Sequence, residues 1–191
     1  MSNVVFITAT PNQSSRLIGV TQYIENQLHT QGIAVATINV ASLPADDLIG
    51  ARFDSPAIVA ANALVEAADA VVIASPVYKA SFSGILKTYL DLLPQKGLAN
   101  KVIAPVFIGG TIAHLLSIDY ALKPVLSSLG ARNFASAIYA TDNQVTRSGQ
   151  GDDLTFSLND ELTERLDNAI QELVEELRLR TAAPAQAATN L

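Results

Sequence analysis

The chain has 191 residues, enough for one well-packed domain and too few to require two. Its 12 basic and 18 acidic residues give a net charge of −6 without the basic stripe that nucleic-acid binding needs, so that class of partner is excluded. There is no cysteine, which excludes disulfides, cysteine nucleophiles and thiolate metal sites, and any redox chemistry must come from a bound cofactor.

Strand-like and helix-like segments alternate along the chain. Apolar runs predict strands at residues 4–9, 33–40, 70–74, 102–108 and 133–140. Apolar spacings of three and four residues predict helices at 16–31, 57–68, 85–93, 112–129 and 158–180. Residues 141–153 are expected to form a loop and residues 181–191, rich in Ala, Thr and Gln, a flexible tail.

This alternation predicts an α/β fold, with residues 1–180 forming a single doubly wound domain around a five-stranded parallel sheet. The flavodoxin-like strand order 2-1-3-4-5 suits five strands best. No internal repeat or linker favours a second domain.

The surface and the amino terminus carry further signals. Charged residues make up only 16% of the chain, below the roughly 25% of an average soluble protein, which suggests that ligand or other subunits cover part of the surface, and a homo-oligomer is favoured. Two histidines, His29 and His114, are too few for a histidine-rich metal site, so no metal is expected. No signal segment or long apolar run is visible, so we expect a cytoplasmic protein with no membrane contact.

Three loops should meet at the carboxyl edge of such a sheet, where ligands bind: residues 10–16, 75–83 and 109–111. The first loop is rich in hydroxyl groups, contains Arg16 and opens a helix whose amides and dipole favour an anion. It is therefore a candidate phosphate site. The alternative is that Thr10, Ser14 and Ser15 merely cap the helix.

The other two loops suit a flat ring. Pro76, Val77 and Tyr78 could lie against a heterocycle, while Gly109 and Gly110 would let a ring approach the backbone closely. No G-x-G-x-x-G follows the first strand, so a mononucleotide with a terminal phosphate fits better than a dinucleotide. One loop for phosphate and two for a ring is the arrangement expected for FMN.

Three other residues attract attention. Lys79 could pair with a cofactor phosphate or could equally be a solvated loop lysine. For His114, a packing or hydrogen-bonding role is favoured over catalysis. Pro124 interrupts an apolar helical pattern, and its ring would clash with the carbonyl of Tyr120, so the helix must kink or widen there. A wide π-turn would be typical of a functional site, and a plain proline kink is the alternative.

The chain resembles the NADPH-dependent FMN reductases of two-component alkanesulfonate monooxygenase systems, within the flavodoxin-like reductase superfamily. The resemblance covers roughly everything up to the last helix. Three segments carry it: ARFDSPA (51–57), SPVYKASFSGILKTYLDLLP (75–94) and GGTIAHLLSIDYALKPVL (109–126). The last two are long matches and far more specific than a short motif.

The resemblance implies roles for individual residues. Thr10, Ser15 and Arg16 would hold the FMN phosphate, and the flavin ring would be lined by Pro76, Val77, Tyr78, Lys79, Gly109, Gly110 and Thr111. Tyr120 matches the tyrosine of the family's π-helix at a tetramer interface, which makes it a candidate for gating or assembly. No catalytic acid or base is implied.

One departure concerns the first loop. It usually reads G-S-P-R in the family, but this chain has Ala9-Thr10-Pro11-Asn12, so the arginine charge is missing at Asn12. Contacts with the phosphate, or the preference for NADPH over NADH, would be weakened.

The resemblance further implies that NADPH reduces FMN, which acts as a substrate, and that FMNH₂ passes to a flavin-dependent monooxygenase. The nearest alternative is a quinone or azo reductase with tightly bound FMN. A flavodoxin-type electron carrier ranks lower, and a flavin-free structural or regulatory domain ranks last.

Overall fold

The computed structural model describes residues 2–182. In chain order the elements are β1 (Asn3–Thr8), α1 (Arg16–Thr30), β2 (Ala34–Asn39), α2 (Ala45–Ile49), α3 (Pro56–Ala67), β3 (Ala70–Tyr78), β4 (Ser81–Phe82), α4 (Gly84–Leu90), β5 (Val102–Gly109), a π-helix (Ile118–Leu122), α5 (Lys123–Ser128), β6 (Asn133–Phe134), β7 (Ile138–Thr141), β8 (Val145–Ser148), β9 (Thr155–Leu158) and α6 (Asp160–Ala182).

The main sheet confirms the predicted topology. Its strands run in the order β2-β1-β3-β5-β6, and β7 continues along β5 beyond β6. All these neighbours are parallel. The fifth predicted strand is thus split into β6 and β7. Between them the regular pairing with β5 is interrupted, and the bond from Ala135 N to Ile103 O, at 2.9 Å, is what holds the chain to β5. The fold is α/β and flavodoxin-like.

Both faces of the sheet are buried, which explains the uniformly apolar strands. In β1, Val5 and Ile7 face the layer that contains α3, α4 and α5, while Val4 and Phe6 face the layer of α1 and α6. Burying one such side chain stabilises the fold by about 1.5–3 kcal/mol. The two layers leave the carboxyl edge of the sheet as the place where loops can meet.

The loop predicted at residues 75–83 is in large part a β-hairpin. β3 continues to Tyr78 and pairs antiparallel with β4, through Val77 with Phe82 and Tyr78 with Ser81. Lys79 and Ala80 form the two-residue turn, with φ of 51° and 62°. A two-residue hairpin turn of this kind needs positive φ at both positions. Because neither position is glycine, the sequence did not indicate the turn.

The helix predicted at 112–129 is divided into a 3₁₀ turn (Ile112–His114), the π-helix and α5. The amide of Lys123 donates to Ile118 O, five residues back, and Pro124 has no amide to continue an α-helical pattern. The widening predicted near Tyr120 is therefore confirmed.

Three further elements were not predicted. The region 141–153 was expected to be a loop, but it contains β8, which forms an antiparallel hairpin with β9. The connection before α3 contains the short helix α2. Of the predicted tail, residues 181 and 182 end α6, and residues 183–191 lie outside the described residues.

The interpretation of residues 1–180 as one domain stays a prediction. Among the described helices, none combines the length and the apolar character that a bilayer crossing requires.

Candidate functional site

Three segments meet at the carboxyl edge of the sheet. Ala9 N donates to Ala74 O at 2.9 Å, so the first loop leaves β1 beside β3. Buried Ser83, after the β3–β4 hairpin, ties the two together: its Oγ donates to Ala9 O at 2.6 Å, and its amide donates to Ser75 Oγ at 2.8 Å. These bonds fix the first loop against the base of the hairpin.

The hydroxyl groups of the loop at residues 10–16 shape the loop itself. Thr10 Oγ1 accepts from the amide of Asn12 at 3.4 Å. Asn12 Oδ1 accepts from the amide and the hydroxyl of Ser14 at 2.9 and 2.8 Å. Ser15 is the N-cap of α1, and its Oγ accepts from Leu17 N at 3.3 Å. The capping role left open by the sequence is therefore real for Ser15.

Two arginines and the start of a helix lie at this loop. The amide of Arg16 is in the first turn of the 15-residue helix α1 and has no intrahelical acceptor. The Nε of Arg16 donates to Val145 O at 2.8 Å, which leaves its terminal nitrogens for another partner. Arg147, on β8, reaches the same loop and donates from Nη1 to Ser14 O at 2.9 Å. A helix amide and two guanidinium groups, with the Ser15 hydroxyl beside them, form a donor set that fits a phosphomonoester.

The β3–β4 hairpin forms the second wall of the site. Pro76 is buried, Val77 is half-buried, and Tyr78 is 48% exposed. Lys79 is at the exposed tip of the hairpin. An apolar strand end with an exposed aromatic ring can support a flat heterocycle by stacking.

The third segment depends on Gly109 and Tyr139. A Cβ at Gly109 would overlap the hydroxyl of Tyr139 and would lie 3.3 Å from Val77 Cβ. That hydroxyl donates to Thr111 O at 2.8 Å, while Thr111 Oγ1 caps the following turn by accepting from Ala113 N. The pKa of Tyr139 is raised by burial and, to a lesser extent, by the charge of Asp142, so the hydroxyl stays a donor.

Tyr120 lies beside these loops. The π-helix packs against β4, and Tyr120 is 79% exposed. His114 is half-buried at the end of the 3₁₀ turn. The same stretch exposes several apolar side chains: Ile112, Leu115 and Leu116.

The structure brings all three predicted loops together, with Tyr120 adjacent. Sequence reasoning missed Ser83, Tyr139 and Arg147. The only signal for Arg147 was the alternation of polar and apolar residues at 155–158, following Gly149 and Gly151, which is typical of the second strand of a hairpin. Among the described residues, no three acidic or histidine side chains are grouped so as to hold a metal.

Comparison with known proteins agrees with this geometry. The profile of a family described as NADPH-dependent FMN reductase matches residues 2–146. An FMN reductase (NADPH) of Pseudomonas putida is 48% identical over 142 residues, covering 74% of this chain and 72% of the relative. An FMN reductase (NADPH) of Escherichia coli is 39% identical over 177 residues, covering 93% and 91%.

A solved structure extends the agreement to three dimensions. The apo form of the NADH:FMN oxidoreductase EMOB is 28% identical and superposes with a TM-score of 0.80, covering 99% of this chain and 94% of that one. The family profile spans most of the chain, and the second relative covers nearly all of it. The chain therefore belongs to the NADPH-dependent FMN reductase family, oxidoreductases that use FMN and NADPH.

Proposed function

We propose that this NADPH-dependent FMN reductase holds FMN in the three loops and releases the reduced flavin to a partner flavin-dependent monooxygenase of the alkanesulfonate type. The observation that carries the proposal is the donor set around residues 10–16, at the edge of an open, partly aromatic site. Thr10, Ser15 and Arg16 would surround the phosphate. The hairpin residues Pro76, Val77, Tyr78 and Lys79 and the segment Gly109, Gly110 and Thr111 would line the ring.

When both are bound, NADPH supplies a hydride from nicotinamide C4 to flavin N5, and a proton from solvent completes FMNH₂. The chain's residues orient the two rings and need not donate or accept a proton themselves. Buried Ser75 and Ser83 keep the β3–β4 hairpin at a fixed distance from residues 10–16, which we call the phosphate loop. Orientation of this kind supports hydride transfer without a catalytic acid or base.

Exposure of the ring side supports release of the flavin. Tyr78, Lys79, Gly110 and Thr111 are all exposed in the single chain. A homo-oligomer, either dimer or tetramer, would cover part of this edge, since the stretch that contains Tyr120 also exposes Ile112, Leu115 and Leu116. We therefore propose that assembly through Tyr120 controls how firmly the flavin is retained. The monooxygenase partner rests on the resemblance of the segments 51–57, 75–94 and 109–126.

The deciding experiment follows NADPH oxidation by the purified protein with and without added free FMN. We expect a nearly colourless preparation whose turnover requires added flavin. Addition of an alkanesulfonate monooxygenase and its sulfonate should then couple NADPH oxidation to desulfonation. A yellow protein that reduces quinones or azo dyes without added FMN would instead identify the tightly bound flavin of the alternative function.

A further inference from the structure

The phosphate loop is short of one positive charge. Asn12 stands where the family that the chain resembles usually has arginine. The side chain of Asn12 is turned into the loop, where its Oδ1 accepts from the amide and the hydroxyl of Ser14. Asn12 therefore stabilises the loop but contributes no charge to an anion.

A second arginine comes to the loop from the β8–β9 hairpin, far along the chain. The register pairs Val145 with Leu158 and Arg147 with Phe156, so these four side chains share one face of the hairpin. On this face Val145 is buried, Phe156 and Leu158 are half-buried and Arg147 is exposed, while every residue of the opposite face is exposed. Arg147 thus lies on the face that is turned toward the protein.

The hairpin is held firmly against the first helix. Phe156 packs onto Gly19 of α1, where any Cβ would overlap the phenylalanine. Arg16 Nε donates to Val145 O at 2.8 Å, and Asn159 N donates to Gln144 O at 2.9 Å. Because the hairpin is anchored at its base and middle, the position of Arg147 beside the loop is set by the fold.

The guanidinium group of Arg147 is only partly used. Its Nη1 donates to Ser14 O at 2.9 Å and to Ser14 Oγ at 3.2 Å. Within residues 2–182, no carboxylate lies within ion-pair distance of Arg147, and Nε and Nη2 make no hydrogen bond. Planar, charged donors of this kind suit phosphate oxygens.

From these contacts we propose that Arg147 binds the terminal phosphate of FMN and supplies, from the β8–β9 hairpin, the charge that Asn12 lacks. The proposal rests on the proposed function, since it assumes that residues 10–16 receive the phosphate. The ligand chemistry is that of a phosphomonoester dianion, so Arg147 favours FMN over riboflavin, which has the same ring without the phosphate.

The test compares the affinities of FMN and riboflavin, measured by quenching of flavin fluorescence, for the wild type and three variants. Arg147→Gln keeps a hydrogen-bond donor for Ser14 but removes the charge, and should weaken FMN binding about tenfold because a charged hydrogen bond is lost. Riboflavin affinity should stay within about twofold, since riboflavin has no phosphate oxygen for the guanidinium to contact. Arg178→Gln is the matched control, because Arg178 is also exposed and also bonds to the end of α1, at Gln31, away from the loop.

The third variant restores the charge at another position. Asn12→Arg in the Arg147→Gln background should recover most of the FMN affinity, which a purely structural role of Arg147 would not allow. The dependence of FMN affinity on salt should be weaker in Arg147→Gln than in the wild type. Unchanged FMN affinity in Arg147→Gln, or an equal loss for both flavins, would overturn the proposal. Equal affinity of the wild type for FMN and riboflavin would refute the phosphate loop itself, and with it the site assigned in the proposed function.

Discussion

Gly109 and Tyr139 show how single residues set the geometry of the site. Tyr139 lies on β7 beside the end of β5, and its hydroxyl donates to the carbonyl of Thr111. This arrangement requires that residue 109 have no side chain, because a Cβ would overlap that hydroxyl. Gly109 is therefore needed so that the hydroxyl of Tyr139 can approach the backbone of β5, in addition to any approach of a flavin ring.

Replacing Gly109 with alanine should destabilise the protein and loosen the third loop. Overpacking of this kind costs about 1–3 kcal/mol, and the bond from Tyr139 to Thr111 should break. Thermal unfolding measures the stability, and a flavin titration measures the site. The matched control is Gly110→Ala, whose Cβ would lie 3.8 Å from Asp142 Oδ2, an ordinary contact. If both variants melted at the same temperature, the clash with Tyr139 would be unimportant for stability.

At this scale the sequence allowed only part of the site to be predicted. Gly109, Thr111 and Ser15 stand in loops whose position follows from the strand order, so their place at the edge could be inferred. Tyr139 and Arg147 could not, because each acts across more than 25 residues of chain, by a contact that only the packed structure defines.

Among the elements, the π-helix was the most accessible to sequence reasoning. Pro124 lacks an amide, and the resulting bond from Lys123 to Ile118 widens the turn around Tyr120. The hairpins were less accessible. The β3–β4 turn uses Lys79 and Ala80 at positive φ, where glycine or asparagine would have been the recognisable signal.

The exposed π-helix should be an assembly element. Tyr120→Ala is expected to weaken self-association by about 2 kcal/mol or more, the loss typical of a central aromatic side chain in an interface. Sedimentation or light scattering at micromolar protein should then show smaller species, and flavin retention should change with them. Leu179→Ala on α6 is the matched control, since Leu179 is also strongly exposed, at 69%. An unchanged mass and unchanged flavin affinity for Tyr120→Ala would count against this role.

For the whole molecule, the two-layer burial made the fold predictable from the sequence. Apolar strands without alternation indicate a sheet that is covered on both faces, and short connections through helices then make it parallel. The strand order followed from that class. The way the β8–β9 hairpin closes over α1 could not be predicted, because it depends on the fit between Phe156 and Gly19.

The same burial should make the protein sensitive to alkaline pH. Tyr89 is fully buried in the layer of α3 and α4, its hydroxyl bonds Asn62 Oδ1 at 3.1 Å, and burial raises its pKa far above the ordinary value of 10.0. A raised pKa in the folded state means that the stability is present below pH 10 and is lost above it, as the unfolded chain alone releases the proton. One such group should lower the free energy of unfolding of the wild type by about 1.4 kcal/mol between pH 9 and pH 11.

The variant Tyr89→Phe removes this loss. Its free energy of unfolding, measured with urea, should therefore rise relative to that of the wild type by the same amount over this pH interval. Lys101, whose pKa burial lowers, acts in the opposite direction but equally in both proteins, and it cancels in the difference. The difference at pH 8, where the phenol is protonated in both states, gives the cost of the lost hydrogen bond and serves as the internal control. A constant difference from pH 8 to pH 11 would show that Tyr89 ionises as readily in the folded protein as in the unfolded chain.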